Sequence, residues 1–198
     1  MAPVPDFDKR EYWSRRFASE SAFEWLIPSQ DFVKILDTNL LAGLPPDAPI
    51  LHLGFGTSDL QIHLRQRGFL NITNVDYEPL AIQRGRELEQ ATFGDIQMAY
   101  LVADATRLDL DQKFALVLDK SAADAIACGG EGALLSMAES VQKHLQEGAC
   151  WVSVSYSAYR FDDAALPFHV QVIRKIPVKK ARETEPDVFS YCYLLRAK

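Results

Sequence analysis

Three observations predict an α/β fold built on a mostly parallel sheet. Helical and strand periods alternate after about residue 50, the pattern of parallel strands joined by crossover helices. The apolar run Ile50-Leu51-His52-Leu53 ends in the turn Gly54-Phe55-Gly56, and a second run, Ile72-Thr73-Asn74-Val75, ends in Asp76, twenty positions after Gly56. Near the C-terminus, 168–176 and 188–195 alternate as two strands joined by a charged loop at 179–187, a closing antiparallel hairpin. Together they predict a Rossmann-like, seven-stranded, mostly parallel sheet with helices on both faces. The expected organisation is one domain over 1–198, with 1–43 as an N-terminal helical extension.

Each element follows from local chemistry. Residues 8–18 form a charged, aromatic-bearing helical stretch. Residues 31–41 are amphipathic, with Phe32, Ile35, Leu36 and Leu40 on one face, and the proline-rich run Leu44-Pro45-Pro46-Asp47-Ala48-Pro49 stops that helix. The first strand, 50–53, leads into a helix from 58 or 59 to about 67, with Gly68 as its stop. The second strand, 72–75, precedes a helix over 80–90, with Pro79 where a first turn tolerates proline. Strands follow at 98–102, ending near Asp104, and at 114–118, ending at Asp119-Lys120. A helix over 132–145 then leads through Gly148 into a fifth strand at 150–155.

Composition narrows the class. The 198 residues are 48% hydrophobic and 24% charged, ordinary for a globular protein, and no apolar run reaches the length of a membrane span. The net charge of −6 argues against general nucleic-acid binding, which depends on basic patches. Met1-Ala2-Pro3-Val4-Pro5-Asp6 lacks the features of a signal peptide, and the three scattered cysteines (Cys128, Cys150, Cys192) suit a reducing compartment, so a cytoplasmic location is expected. Cys150 and Cys192 read as buried small hydrophobes. The four histidines form no cluster, so no metal site is expected; His52, inside the first strand, reads as a packed core residue.

Ligands of open α/β sheets bind outside the carboxyl ends of the strands, where strand order reverses. Four polar features fall at those ends: Gly54-Phe55-Gly56, Asp76-Tyr77, Asp104-Ala105 and Asp119-Lys120. The glycines allow a sharp turn and close approach of a ligand, and a carboxylate at the tip of the next strand accepts from ribose hydroxyls. Asp59 stands where a dinucleotide fingerprint has its third glycine, and no Gly-Lys-Ser/Thr phosphate cradle occurs. Each aspartate alone reads equally as a helix cap; three in register with a glycine turn point to a nucleoside site. Asp76 is expected on the ribose diol, Tyr77 against the adenine and Asp104 on the adenine amino group.

Gly54-x-Gly56-x-Ser58 resembles the first motif of class I S-adenosylmethionine (SAM) methyltransferases, with His52 in place of the frequent acidic residue and Ser58 in place of a third glycine. The resemblance becomes specific through Tyr12-Trp13-x-x-Arg16-Phe17, Phe23-Glu24-Trp25, Leu53-Gly54-Phe55-Gly56-Thr57-Ser58, Asn74-Val75-Asp76-Tyr77, and Val117-Leu118-Asp119-Lys120 with Asp124-Ala125. In that order and spacing, over 12–156, they resemble the methyltransferase-like family, which includes the lysine methyltransferases of elongation factor 1-alpha. Members often carry Cys-Gly-Asn-Ser in the glycine loop and Asp-Lys-Gly-Thr-Leu-Asp-Ala after strand four. Here those stretches read Phe55-Gly56-Thr57-Ser58 and Asp119-Lys120-Ser121-Ala122-Ala123-Asp124-Ala125.

The resemblance implies that SAM is the cofactor and S-adenosylhomocysteine (SAH) the product. It implies that Trp13, Phe17 and Trp25 fold over the methionine and sulfonium end, with Lys120 near the cofactor. An aromatic face attracts a sulfonium cation, worth ~0.5–2 kcal/mol; the competing reading for Trp13 and Phe17, four residues apart, is a helix face packed on the core. Asp119, Asp124, Tyr156 and Tyr159 are the candidates near the acceptor, with Asp124 equally readable as a residue bonding backbone at a helix start. A site without a capping insertion points first to a protein lysine as acceptor. The alternatives are a small molecule methylated at oxygen, nitrogen or sulfur, with the N-terminal aromatic helix as lid, or a non-catalytic SAM-fold binding protein. A nicotinamide-dependent reductase is disfavoured because Tyr156-Ser157-Ala158-Tyr159-Arg160 ends in Arg rather than the Lys such chemistry needs.

Overall fold

A computed structural model describes residues 6–20, 22–130, 132–180 and 182–198. The leading Met1-Ala2-Pro3-Val4-Pro5 segment, and with it part of the 1–43 extension, lies outside the described residues. The strands are β1 (Ile50–Leu53), β2 (Ile72–Asp76), β3 (Ala99–Val102), β4 (Phe114–Lys120), β5 (Leu145–Ser155), β6 (Phe168–Pro177) and β7 (Phe189–Ala197). The helices are α1 (Arg10–Ser19), α2 (Ser29–Asn39), α3 (Leu60–Gln66), α4 (Pro79–Phe93), α5 (Ala122–Ala127) and α6 (Ala133–Lys143), with 3-10 turns at Leu41–Gly43 and Ala105–Arg107.

The sheet runs β3-β2-β1-β4-β5-β7-β6. The first five strands are parallel, and β7 inserts antiparallel between β5 and β6. The expected seven-stranded sheet with its C-terminal hairpin is what the chain forms. β1 and β2 are buried along their whole length because helices cover both faces of a parallel sheet. Alternation along β5 shows the two-sided core: Cys150, Val152 and Val154 join Phe32, Leu36, Leu60 and Leu64 on one face, while Trp151 joins Phe114, Met137 and Val141 on the other. Strand order reverses between β1 and β4, which opens a crevice at their carboxyl ends.

Two elements differ from expectation. β5 begins at Leu145 rather than residue 150, because Leu145 pairs with Phe114 before the register shifts at Leu116 and Cys150. Within the shift Gly148 sits at φ +74°, a conformation that made the stretch read as loop. The six-residue α5 has no sequence signature, since an alanine-rich run this short carries no apolar period. Cys150 and Cys192 are buried as expected. No helix among the described residues is long and apolar enough to cross a membrane, and none of their His, Cys, Asp and Glu residues form a group of three or more able to hold a metal ion.

Candidate functional site

The crevice is a cleft of about 270 Å³, and ten of the eleven residues expected to hold the cofactor line it: Trp13, Phe17, Trp25, Gly54, Gly56, Asp76, Tyr77, Asp104, Ala105 and Lys120. Its floor is the β1 turn. Gly54 and Gly56 both take left-handed backbone, φ +56° and +55°, where a side chain is strained. A Cβ on Gly54 would lie 2.6 Å from Ala122 Cβ, and one on Gly56 3.1 Å from the Phe17 ring. Gly56 N–H donates to Asp76 Oδ2 at 2.9 Å, and Glu78 N–H donates to Asp76 Oδ1 at 2.9 Å. The tip of β2 therefore fixes the turn after β1. Burial pushes the Asp76 carboxyl up to about 6 against those two backbone donors.

Asp104 serves the cap role weighed against it. Its Oδ1 accepts from the Thr106 amide at 2.9 Å and hydroxyl at 2.7 Å, opening the 3-10 turn at Ala105–Arg107, and it lines the cleft as well.

Lys120 is turned into the N-terminal segment. Its ammonium, 3% exposed at the side chain, donates to Glu24 Oε2 and to the Ile27 carbonyl, the latter at 3.1 Å.

Asp119 and Asp124 lie behind the lining. Asp119 is fully buried, accepting from the Ala123 amide at 3.0 Å and from Trp151 Nε1 at 2.8 Å; burial pushes its carboxyl up to about 6. Successive strand residues point to opposite faces, so Asp119 goes to the Trp151 side and Lys120 to the other. Asp124 on α5 accepts from Ser155 Oγ at 2.5 Å, the Tyr156 amide at 3.0 Å and Arg160 Nε at 2.8 Å, and so anchors the loop after β5. Tyr156, on that loop, is 59% exposed, and Tyr159 77%. Neither lines the cleft.

Over the cleft runs the N-terminal segment. Phe7, Trp13, Phe17, Phe23 and Trp25 form a chain of ring contacts 5.1–6.0 Å between centroids, and Trp13 Nε1 donates to the Phe7 carbonyl at 2.7 Å. Arg16 lies 4.8 Å above Phe23 and 4.5 Å above Trp25. α1 is tied down by Ser14 Oγ donating to Glu78 Oε2 at 2.6 Å and Arg10 Nε to the same oxygen at 3.4 Å. Beyond Trp25, Leu26 takes φ +65° in a tight turn closed by Ile27 N–H to the Trp25 carbonyl at 2.7 Å. That geometry costs a bulky residue roughly 1–3 kcal/mol and persists only when its surroundings impose it; here the Lys120 bonds to Glu24 and Ile27 flank it.

Sequence reading missed Phe7 and Asp8, which line the cleft on the side of Gly129, and the role of Glu24. Phe23-Glu24-Trp25 carried the only signal for Glu24; Phe7 and Asp8 had none, since their position depends on how the chain folds back. The charged groups of the described lining are Asp8, Asp76, Asp104 and Lys120, with Lys120 already paired, so the wall carries more negative than positive charge.

No family model matches the chain. The chain is 58% identical over 201 residues to the methyltransferase srdJ of Neurospora crassa, covering 99% of this chain and 86% of that protein. It is 29% identical over 157 residues to the eEF1A lysine and N-terminal methyltransferase homolog of Drosophila melanogaster, 76% of this chain but 22% of that protein. Among solved structures, the N-methyltransferase NodS from Bradyrhizobium japonicum in complex with SAH superposes with a TM-score of 0.69 at 12% identity, over 97% of this chain and 99% of that one. A protein solved in work on the conversion of a disulfide bond into a thioacetal group during echinomycin biosynthesis gives 0.73 at 20% identity, over 96% and 93%. A glycine turn pinned to a strand-tip aspartate, on this sheet and in this company, fixes the assignment: the chain belongs to the class I SAM-dependent methyltransferases.

Proposed function

We propose that the cleft holds SAM and directs its methyl group to a small-molecule acceptor. The residues present fit the cofactor: a Cβ-free turn at Gly54 and Gly56, a buried carboxylate at Asp76 for the ribose hydroxyls, Tyr77 and Ala105 flanking the nucleoside end, and Trp13, Phe17 and Trp25 for the cationic end. Bound SAM supplies an electrophilic methyl on a sulfonium sulfur. The chain's own contribution is orientation and exclusion of water by the aromatic cover. Asp119 and Asp124 hold Trp151, Ala123 and Arg160, so we assign them to positioning the β4 end and the loop after β5 rather than to proton transfer.

The observation that carries the acceptor class is the cover itself. The site has no capping insertion in the sheet, yet the N-terminal segment from Phe7 to Trp25 caps it with packed rings. A lysine on a folded protein would have to displace that cover, whereas a small molecule needs no opening wide enough for a protein surface.

The protein-lysine reading is supported by the eEF1A methyltransferase relatives, of which this chain spans about a fifth. Purified protein with methyl-labelled SAM, offered separately a desalted proteome and a small-metabolite extract, decides between them. Label in the metabolite fraction supports the proposal; label recovered as methyl-lysine after protein hydrolysis overturns it.

A further inference from the structure

Glu24 and Lys120, 96 positions apart, meet where the N-terminal segment crosses the end of β4. Lys120 lines the cleft, whereas Glu24 stands behind it with its side chain 30% exposed. Glu24 is held from three sides. Its Oε2 accepts from Ser29 Oγ at 2.8 Å as well as from Lys120, and its Oε1 accepts from the Asp59 amide at 3.2 Å at the start of α3. Ser29 Oγ in turn lies 2.9 Å from Ser58 Oγ in the glycine loop. The carboxylate is thus fixed where it neutralises the lysine from outside, leaving the cleft surface without a net positive charge at that point.

SAM and SAH differ by one methyl group and one positive charge. We propose that Glu24 is a specificity-determining residue for the cofactor's charge, cancelling Lys120 so that the cleft accepts cationic SAM on terms comparable with neutral SAH. This rests on the reading of the cleft as the SAM site. Burial lowers the Lys120 pKa and Glu24 opposes that shift; without the Glu24 charge, the ammonium that remains, in a wall largely shielded from water, repels a sulfonium more strongly than the same pair would in bulk solvent. SAH shares every other group with SAM and escapes that repulsion. The pair is a lever on the balance between substrate cofactor and product, operated by a residue that does not line the cleft.

Calorimetric titration at pH 7 with SAM and with SAH, on wild type, Glu24→Gln, Lys120→Met and the double variant, tests this. Glu24→Gln should raise the ratio of Kd for SAM to Kd for SAH by about tenfold, and the double variant, which lacks both charges, should bring the ratio back to that of wild type. A purely structural role for Glu24 would weaken both ligands in step, and an unchanged ratio overturns the proposal. Should Glu24→Gln fail to fold, Lys120→Met carries the test: its ratio must fall below wild type, and an unchanged ratio again overturns the proposal. Wild-type protein that binds neither ligand overturns the SAM reading of the cleft itself, an outcome distinct from binding without discrimination.

Discussion

Asp119 Oδ2 accepts the indole N–H of Trp151 at 2.8 Å across two neighbouring parallel strands, with both residues buried. The acid beside the glycine turn is thereby tied to the largest side chain of the core, and its second oxygen starts α5 through the Ala123 amide. Asp119→Asn keeps one acceptor but turns an NH₂ toward a donor, so it should destabilise the fold by ~1–3 kcal/mol. Burial pushes its pKa up to about 6, above the ordinary value of 3.8, so the native state holds that proton to higher pH. The stability Asp119 contributes relative to the unfolded chain is complete below about 3.8 and is lost as pH rises through about 6. The penalty of Asp119→Asn should therefore be larger at pH 4 than at pH 7 in denaturant titrations; the opposite trend would refute this account.

Asp76 gives a pH dependence of the opposite practical sign. The ribose hydroxyls need an anionic acceptor, and the carboxyl protonates near pH 6. SAM affinity should fall as pH is lowered through about 6, and Asp76→Ala should weaken binding by ~1.5–3 kcal/mol with the circular dichroism spectrum retained. Titration calorimetry from pH 5 to 8 checks both, and equal affinity in the variant would remove Asp76 from the site.

Ser121 sits at φ +72° at the turn from β4 into α5. Left-handed backbone costs a non-glycine residue roughly 1–2 kcal/mol. Relief of that strain, less the greater chain entropy that glycine loses on folding, leaves a net gain in Ser121→Gly of ~0.5–1 kcal/mol. A rise in the denaturation midpoint with unchanged slope would confirm it; a fall would show that the hydroxyl does unseen work in the cleft.

Gly54 combines a φ of +56° with a virtual Cβ 2.6 Å from Ala122 Cβ. Gly54→Ala should destabilise the fold by ~2–4 kcal/mol and abolish SAM binding, from backbone strain and overpacking together. Adding Ala122→Gly removes the clash but not the strain, so thermal denaturation of the double variant should show partial recovery. Full recovery would mean that the left-handed turn carries no cost.

The sequence by itself determined the order of elements, the parallel sheet with its closing hairpin, the glycine turn and the aspartate twenty residues on. These rest on local periods and on backbone freedom at single positions, which short stretches of chain express without help from the rest. The family resemblance pointed to Trp13, Phe17 and Trp25, and the strand ends to Asp76, Tyr77 and Asp104, all of which line the cleft. Tertiary structure alone decided which way the charges face. Asp119 and Lys120 are adjacent and equally polar, yet one enters the core beside Trp151 and the other reaches the N-terminal segment, because a strand sends successive side chains to opposite faces and the partners waiting there lie 32 and 96 residues away. The cover of the cleft was decided in the same way: Phe7 and Asp8 reach it through the fold-back of α1 onto Glu78, a contact across 64 to 68 residues that no local pattern encodes.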